Sequence, residues 1–432
     1  MKPKIKDKFK IFNNDYVLNT VVKVVNLFIG FITSMFSTRY LGVVNKGIYS
    51  YISHLASTSA IVCNMGIYQS YSFNYKKYGK QMLKKYSDIC FLQFFIYSVI
   101  TVVIAVYVND YKIKLAALLI PFSVLKHQYE NIMLIENIRL RMFLHVFDKV
   151  MLTVAYALLF FTAESNVAYI VFLTMFVDIF TVVFYLIKLG CFPKIWQVDI
   201  AFLKSVLKFG WLPMISMLLV TLNYSVDIFF LENIGTAEDL GYYSFAANII
   251  NYVWMLPDAF KEVLFSKSAK KLDRKNICIS MQISLMSIAC CFIGFLVIGK
   301  QFISLIYGSE FLLAYNIVLI LILGAFSMSI FKVLGIVLVS QGKRGVHFTA
   351  LAISVTINII ANVLAIPKLG MYGAAWSSVL SYTVCAWVLI PYFCKTFGFS
   401  LKELFIPSKD SIIKIKQSVL NLKHRKTNKK AL

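Results

Sequence analysis

Ionisable residues inside long apolar runs mark where this chain could do chemistry. Four lysines, Lys23, Lys126, Lys149 and Lys332, lie in such runs, and so do Asp178, Asp227 and Asp258. At the centre of a membrane-spanning helix a charge costs about 2.5–3.5 kcal/mol, so each needs a partner, a route to the surface or a use. For a lysine, the use is attraction of an anionic group within a low-dielectric cavity. For Asp178 and Asp258, it is ion coupling through a bound proton or sodium ion.

Blander readings stand beside these. Lys126 and Glu130 are four residues apart on one helical face and can neutralise each other, just beyond the kink expected at Pro121. Lys23, Lys149 and Lys332 lie towards the inner ends of their runs, where a long side chain can snorkel to the surface. Asp148 offsets its neighbour Lys149. Each intramembrane carboxylate can also serve helix packing through hydrogen bonds. His54, His145 and His347 fit interfacial or bonded core positions better than proton relays.

No Ser/His/Asp set, metal cluster or phosphate-binding glycine loop occurs, so the sequence points away from an enzyme and implies no cofactor beyond a coupling ion. The eight cysteines show no CxxC spacing and read as free thiols acting as small hydrophobes.

These residues must be positioned by membrane helices. Of the 432 residues 59% are apolar and only 15% charged, against roughly 45–50% apolar in soluble domains. Mean hydropathy is +0.74. Windows of about 20 residues give twelve spans. The first six are 16–38, 47–70, 88–108, 115–135, 142–163 and 166–189. The second six are 205–231, 241–265, 277–298, 312–339, 347–366 and 372–394. The tenth is overlong and is expected to tilt or to begin with an interfacial turn. The first run is too long for a signal-peptide core and reads as an uncleaved helix.

With the N-terminus in the cytoplasm, 34 of the 44 basic residues fall in cytoplasmic segments and six in external loops. The net charge of +24 is then a topology signal and an attraction to anionic lipid, not a nucleic-acid surface. Both termini are expected in the cytoplasm.

The expected organisation is an N-terminal six-helix bundle (1–190), a cytoplasmic interfacial linker (191–204), a C-terminal six-helix bundle (205–395) and a basic cytoplasmic tail (396–432). Gly47-Ile48-Tyr49-Ser50-Tyr51 aligns with Gly241-Tyr242-Tyr243-Ser244-Phe245, and each opens the second helix of its half. Such parallel repeats suit a transporter. Arg39 beside the first copy and Glu232 beside the second are placed at the outer mouth, where their pairing is expected to form an outer gate.

Four stretches carry a resemblance: RYLGVVNKGIYSY from Arg39, LKFGWLP from Leu207, LIYGSEFLLAYNIVLILILGAF from Leu305 and PKLGMYGAAWSSVLSY from Pro367. In order and spacing they resemble the polysaccharide transporter family of the multidrug/oligosaccharidyl-lipid/polysaccharide exporter superfamily. The resemblance implies an all-α integral membrane fold of twelve helices in two bundles around a central cavity. It also implies a flippase moving an undecaprenyl-pyrophosphate-linked oligosaccharide, an O-antigen or similar lipopolysaccharide unit, across a bacterial inner membrane. Lys126, Lys23, Lys149 and Lys332 would then hold the head group. Membrane lipids, a polysaccharide polymerase and a chain-length regulator are the implied partners, and nucleic acid is not. The alternative on the same scaffold is a multidrug or small-solute antiporter. A glycosyltransferase or polymerase would need a substantial external loop, and none is long enough.

Overall fold

The computed structural model describes residues 15–79, 82–190, 198–268 and 272–406. The basic N-terminus, the first seven residues of the expected linker and the tail beyond Ile406 lie outside the described residues.

Every regular element there is helical. In chain order they are α1 (Asp15–Asn64), α2 (Ile67–Tyr78), α3 (Met82–Tyr107), α4 (Tyr111–Glu136), α5 (Ile138–Thr162), α6 (Val167–Leu189) and α7 (Ile200–Ile234). There follow α8 (Ala237–Val253), α9 (Met255–Ser268), α10 (Arg274–Ile306), α11 (Ala314–Ser340), α12 (Arg344–Leu369), α13 (Met371–Phe397) and the short α14 (Leu401–Phe405). Among the described residues nine helical stretches are long and apolar enough to cross a membrane. The chain is therefore an all-α, multi-pass membrane protein.

Local chemistry sets the helix starts. Asp110, Asn137, Asn166 and Asp199 each turn a side-chain oxygen onto a free backbone N–H of the helix that follows, α4, α5, α6 and α7 respectively. Helix faces are equally legible. Along α3, Phe95, Val99, Val102, Val103 and Val106 are all exposed, an apolar face that only lipid can cover.

The break expected between the first two spans is compressed to a kink, where two helices meet within α1 at Gly42 (φ 65°, ψ −176°), a conformation that glycine reaches without a Cβ clash. Two expectations change. The second span ends at Asn64, before a left-handed Met65-Gly66 step into α2. The eighth is broken at Trp254 into α8 and α9, although Trp254 N–H still bonds Ile250 O and Asp258 N–H bonds Trp254 O, both at 3.0 Å. The overlong tenth span begins with a turn, one of the two alternatives expected for it: a 3-10 turn, Ser309–Leu313, precedes α11.

The chain forms two compact units, one reaching Phe245 and including Ile303–Leu312, the other Ala246–Phe302 with the residues from Leu313 onward. In the first, α1 packs on α4, α5 and α7, and α4 packs on α3 and α6. One of its cores gathers Tyr71, Tyr86, Tyr129 and Tyr185 with Ile67 and Leu125. In the second, α11 packs on α9 and α13, and α12 lies along α13.

Candidate functional site

Three helices of the first unit meet around a single ammonium group. Lys126, on α4 just beyond Pro121, places Nζ 2.9 Å from Asp148 Oδ2 of α5 and 2.9 Å from Asp178 Oδ1 of α6. Thr181, one turn along α6 from Asp178, donates to Asp148 Oδ1 at 2.6 Å, so the Asp148 carboxylate is held from both sides. Glu130, one turn further along α4, is buried with His127 Nδ1 at 3.6 Å and His145 Nε2 at 3.9 Å. Three buried carboxylates are thus answered by one partly buried ammonium, a half-buried imidazole at His145 and an exposed one at His127.

This arrangement differs from the simplest sequence reading. Glu130 shares a face with Lys126, yet its carboxylate is turned to the two histidines while Lys126 bridges α5 and α6. Asp148, read as an offset for Lys149, belongs to Lys126. A lysine held by two carboxylates has its charge already answered. Neutralising one aspartate would loosen the ammonium but leave it on the other, and only neutralising both would free it to swing elsewhere. The chemistry on offer is exchange of a small cation for a change of pairing.

In the second unit Lys332 of α11 is only 8% exposed. Its Nζ lies 2.8 Å from Asp258 Oδ2 of α9 and 4.4 Å from the centre of the Trp254 ring. Lys332 is thus anchored where the helix breaks, not reaching for the surface. Lys23 and Lys149 are exposed on α1 and α5, beside exposed Val24 and Val150 respectively.

Arg39 and Glu232 have different partners here. Arg39 Nη2 donates to Leu305 O at 2.6 Å, while Glu232 is paired with Lys112 of α4.

Sequence reasoning passed over two further polar groupings in the first unit. Tyr243 donates from its hydroxyl to fully buried Asp227 at 2.6 Å. His54 Nδ1 lies 2.7 Å from Ser225 Oγ. Tyr243 sits within the second glycine motif, and a buried tyrosine hydroxyl generally finds a partner.

No family model matches the chain. In sequence it is similar to the probable low-salt glycan biosynthesis flippase Agl15 of Haloferax volcanii, with 27% identity over 156 residues. That match covers 34% of this chain and 33% of the relative, so the chain spans about a third of the length of the curated relative it matches. In fold it is similar to the lipid II flippase MurJ in an inward closed conformation, with a TM-score of 0.73, 14% identity, and 94% and 93% of the two chains covered. It is also similar to the inward-facing conformation of a multidrug resistance MATE family transporter of the MOP superfamily. There the TM-score is 0.63 and the identity 13%, with 87% of this chain and 98% of that one covered.

Proposed function

We propose that the chain is an ion-coupled flippase that moves a prenyl-pyrophosphate-linked oligosaccharide from the cytoplasmic to the outer leaflet of a bacterial inner membrane by alternating access. One observation carries the reading: a glycan flippase in local sequence and a lipid II flippase in overall fold are both similar to it. By name, one is a probable flippase of glycan biosynthesis and the other a flippase of lipid II. Undecaprenyl-pyrophosphate-linked O-antigen units are the substrates the motif resemblance favours, and twelve spans in two halves are the working topology.

On this reading the protein supplies a path for a hydrated head group, and no bond is made or broken. Lys23 and Lys149, the exposed intramembrane lysines, are the first contacts for the pyrophosphate. Lys126 becomes available only when Asp148 and Asp178 are both neutralised, by protons or by a shared sodium ion. Ion uptake and head-group attraction are thereby linked at one side chain. An Arg39–Glu232 pairing belongs to another state of the cycle, since each has a different partner here.

The test is complementation of a flippase-deficient strain, read as surface polysaccharide, together with Lys126→Ala and Asp178→Asn. Restored polysaccharide with the parent chain, and its loss with Lys126→Ala at unchanged membrane abundance, is expected. No restoration by the parent chain overturns the reading.

A second reading is a multidrug or small-solute antiporter. The specific observation favouring it is the excess of carboxylate around Lys126, which suits a cationic ligand. Drug resistance conferred on a sensitive strain, without polysaccharide rescue, would establish it.

A further inference from the structure

One basic residue fits neither a pair nor the surface. Lys46 reads from sequence as part of an external turn, yet it lies within α1 and is only 4% exposed. No ion pair or hydrogen bond reaches it among the described residues. The contact recorded for its ammonium is the face of Tyr49, one turn on, at 6.0 Å from the ring centre. Every other buried lysine described above has a carboxylate within 3 Å.

The surroundings show why it is enclosed. Gly47, the next residue, lies against the start of α8, and a methyl group added there would stand 2.7 Å from Gly241 N. A methyl on Gly241 would stand 2.2 Å from Val43 O. These are the equivalent glycines of the two repeated motifs, and they meet backbone to backbone. Ser244, one turn along α8 from Gly241, is wholly buried with its hydroxyl unbonded among the described residues. An ammonium on the residue before Gly47 and a hydroxyl one turn from Gly241 thus flank the glycine contact, each without a bonded partner among the described residues. An ammonium so placed within a membrane helix is costly unless something answers its charge.

We infer that Lys46 is an anion site at this glycine seam, taking a phosphoryl group when α1 and α8 part. The charge bias places the Gly42 kink of α1, four residues before Lys46, towards the outer face, so the site acts late in transfer, where the head group leaves. This placement rests on the flippase reading; the anion site itself does not. A lysine unpaired in the closed seam favours parting of the helices when an anion arrives, and closure after release buries it again. The ligand chemistry is a phosphate or pyrophosphate, borne either by a prenyl lipid or free in solution.

The experiment uses the full chain in nanodiscs, with undecaprenyl pyrophosphate and inorganic pyrophosphate as separate probes of tryptophan fluorescence. Lys46→Met is expected to weaken binding at least tenfold. Lys46→Arg is expected to retain it. Lys46→Met is also expected to unfold at the same temperature as the parent or higher, because it removes an unpaired buried charge. Lipid binding that is unchanged in Lys46→Met overturns the site and leaves the flippase reading standing. Lys46-dependent binding of inorganic pyrophosphate with no binding of the lipid keeps the site and removes the flippase reading. A chain that binds neither probe, or a Lys46→Met variant that unfolds at lower temperature than the parent, overturns the site.

Discussion

Lys126 Nζ lies 2.9 Å from Asp178 Oδ1, and this contact joins two residues that a helix-by-helix reading assigns to separate tasks. One was expected to attract an anionic head group and the other to bind a coupling ion. Held together, they cannot act independently: a change at Asp178 alters how tightly Lys126 is held, while Asp148 keeps its own contact.

The first prediction concerns this network. Lys126→Met leaves Asp148 and Asp178 without their counter-charge, and breaking a buried pair from one side typically costs about 3–5 kcal/mol. Asp178→Asn is expected to cost less, because Asp148 still holds the lysine. The double variant is expected to recover part of the Lys126→Met loss. Unfolding of the three variants in one detergent checks the order, and strictly additive losses would contradict a shared network.

A second prediction follows from the glycine seam. Gly241→Ala drives a methyl onto Val43 O, whereas Gly42→Ala meets no atom within 4 Å but must hold a positive φ. Overpacking costs about 1–3 kcal/mol, and at Gly241 the cheapest relief is separation of α8 from α1. A cysteine placed at Val43 is therefore expected to react faster with a water-soluble thiol reagent in Gly241→Ala than in the parent. Unchanged labelling would show that the seam absorbs the methyl by other means.

The pair at the α8–α9 break is expected to behave differently from the Lys126 network. The Asp258 side chain is 44% exposed, so water already screens much of its attraction for Lys332. Asp258→Asn is expected to lower stability by no more than about 1 kcal/mol while impairing transport, because Lys332 loses its anchor. A variant that transports normally would limit Asp258 to local packing.

These features were unequally legible in the sequence. Hydropathy finds the apolar stretches, because insertion into lipid depends on composition over about 20 residues. The same windows misplace Lys46, since Asn45-Lys46-Gly47 has the composition of a turn while the backbone remains helical on both sides of Gly42. Pairing is harder still. Helical periodicity relates Lys126 to Glu130, four residues on, but its actual partners lie 22 and 52 residues away on α5 and α6. Which face of α4 meets which neighbour depends on packing across three helices, and nothing in the local pattern encodes it. The repeated glycine motif was visible as a repeat whose flanks were expected to meet through Arg39 and Glu232; the contact found is instead between Gly47 and Gly241.

The last prediction is a pH dependence at the end of α13. Arg274 donates to Glu403 Oε2 at 2.9 Å and to Gly398 O at 2.9 Å, and its guanidinium stacks 4.3 Å from the centre of Phe399. Gln282 adds bonds to the carbonyls of Glu403 and Ile406, both at 3.0 Å. Together they strap α14 to the start of α10. The hydrogen bond from Arg274 holds the Glu403 carboxyl below its ordinary value, and the charge of the guanidinium acts in the same direction. A carboxylate lowered in the folded state contributes stability above the unfolded value, about 4.3, and loses it as pH falls through the lower folded value. The strap is therefore expected to be unaffected between pH 6 and 8 and to loosen only in the acid range. Protection of amides at residues 401–406, taken relative to the intrinsic exchange rate at each pH, is expected to fall below about pH 4.3 in the parent. In Glu403→Gln it is expected to be low at every pH. Protection in the parent that persists down to pH 3 would mean that Gln282 and the Phe399 contact hold α14 without the ion pair.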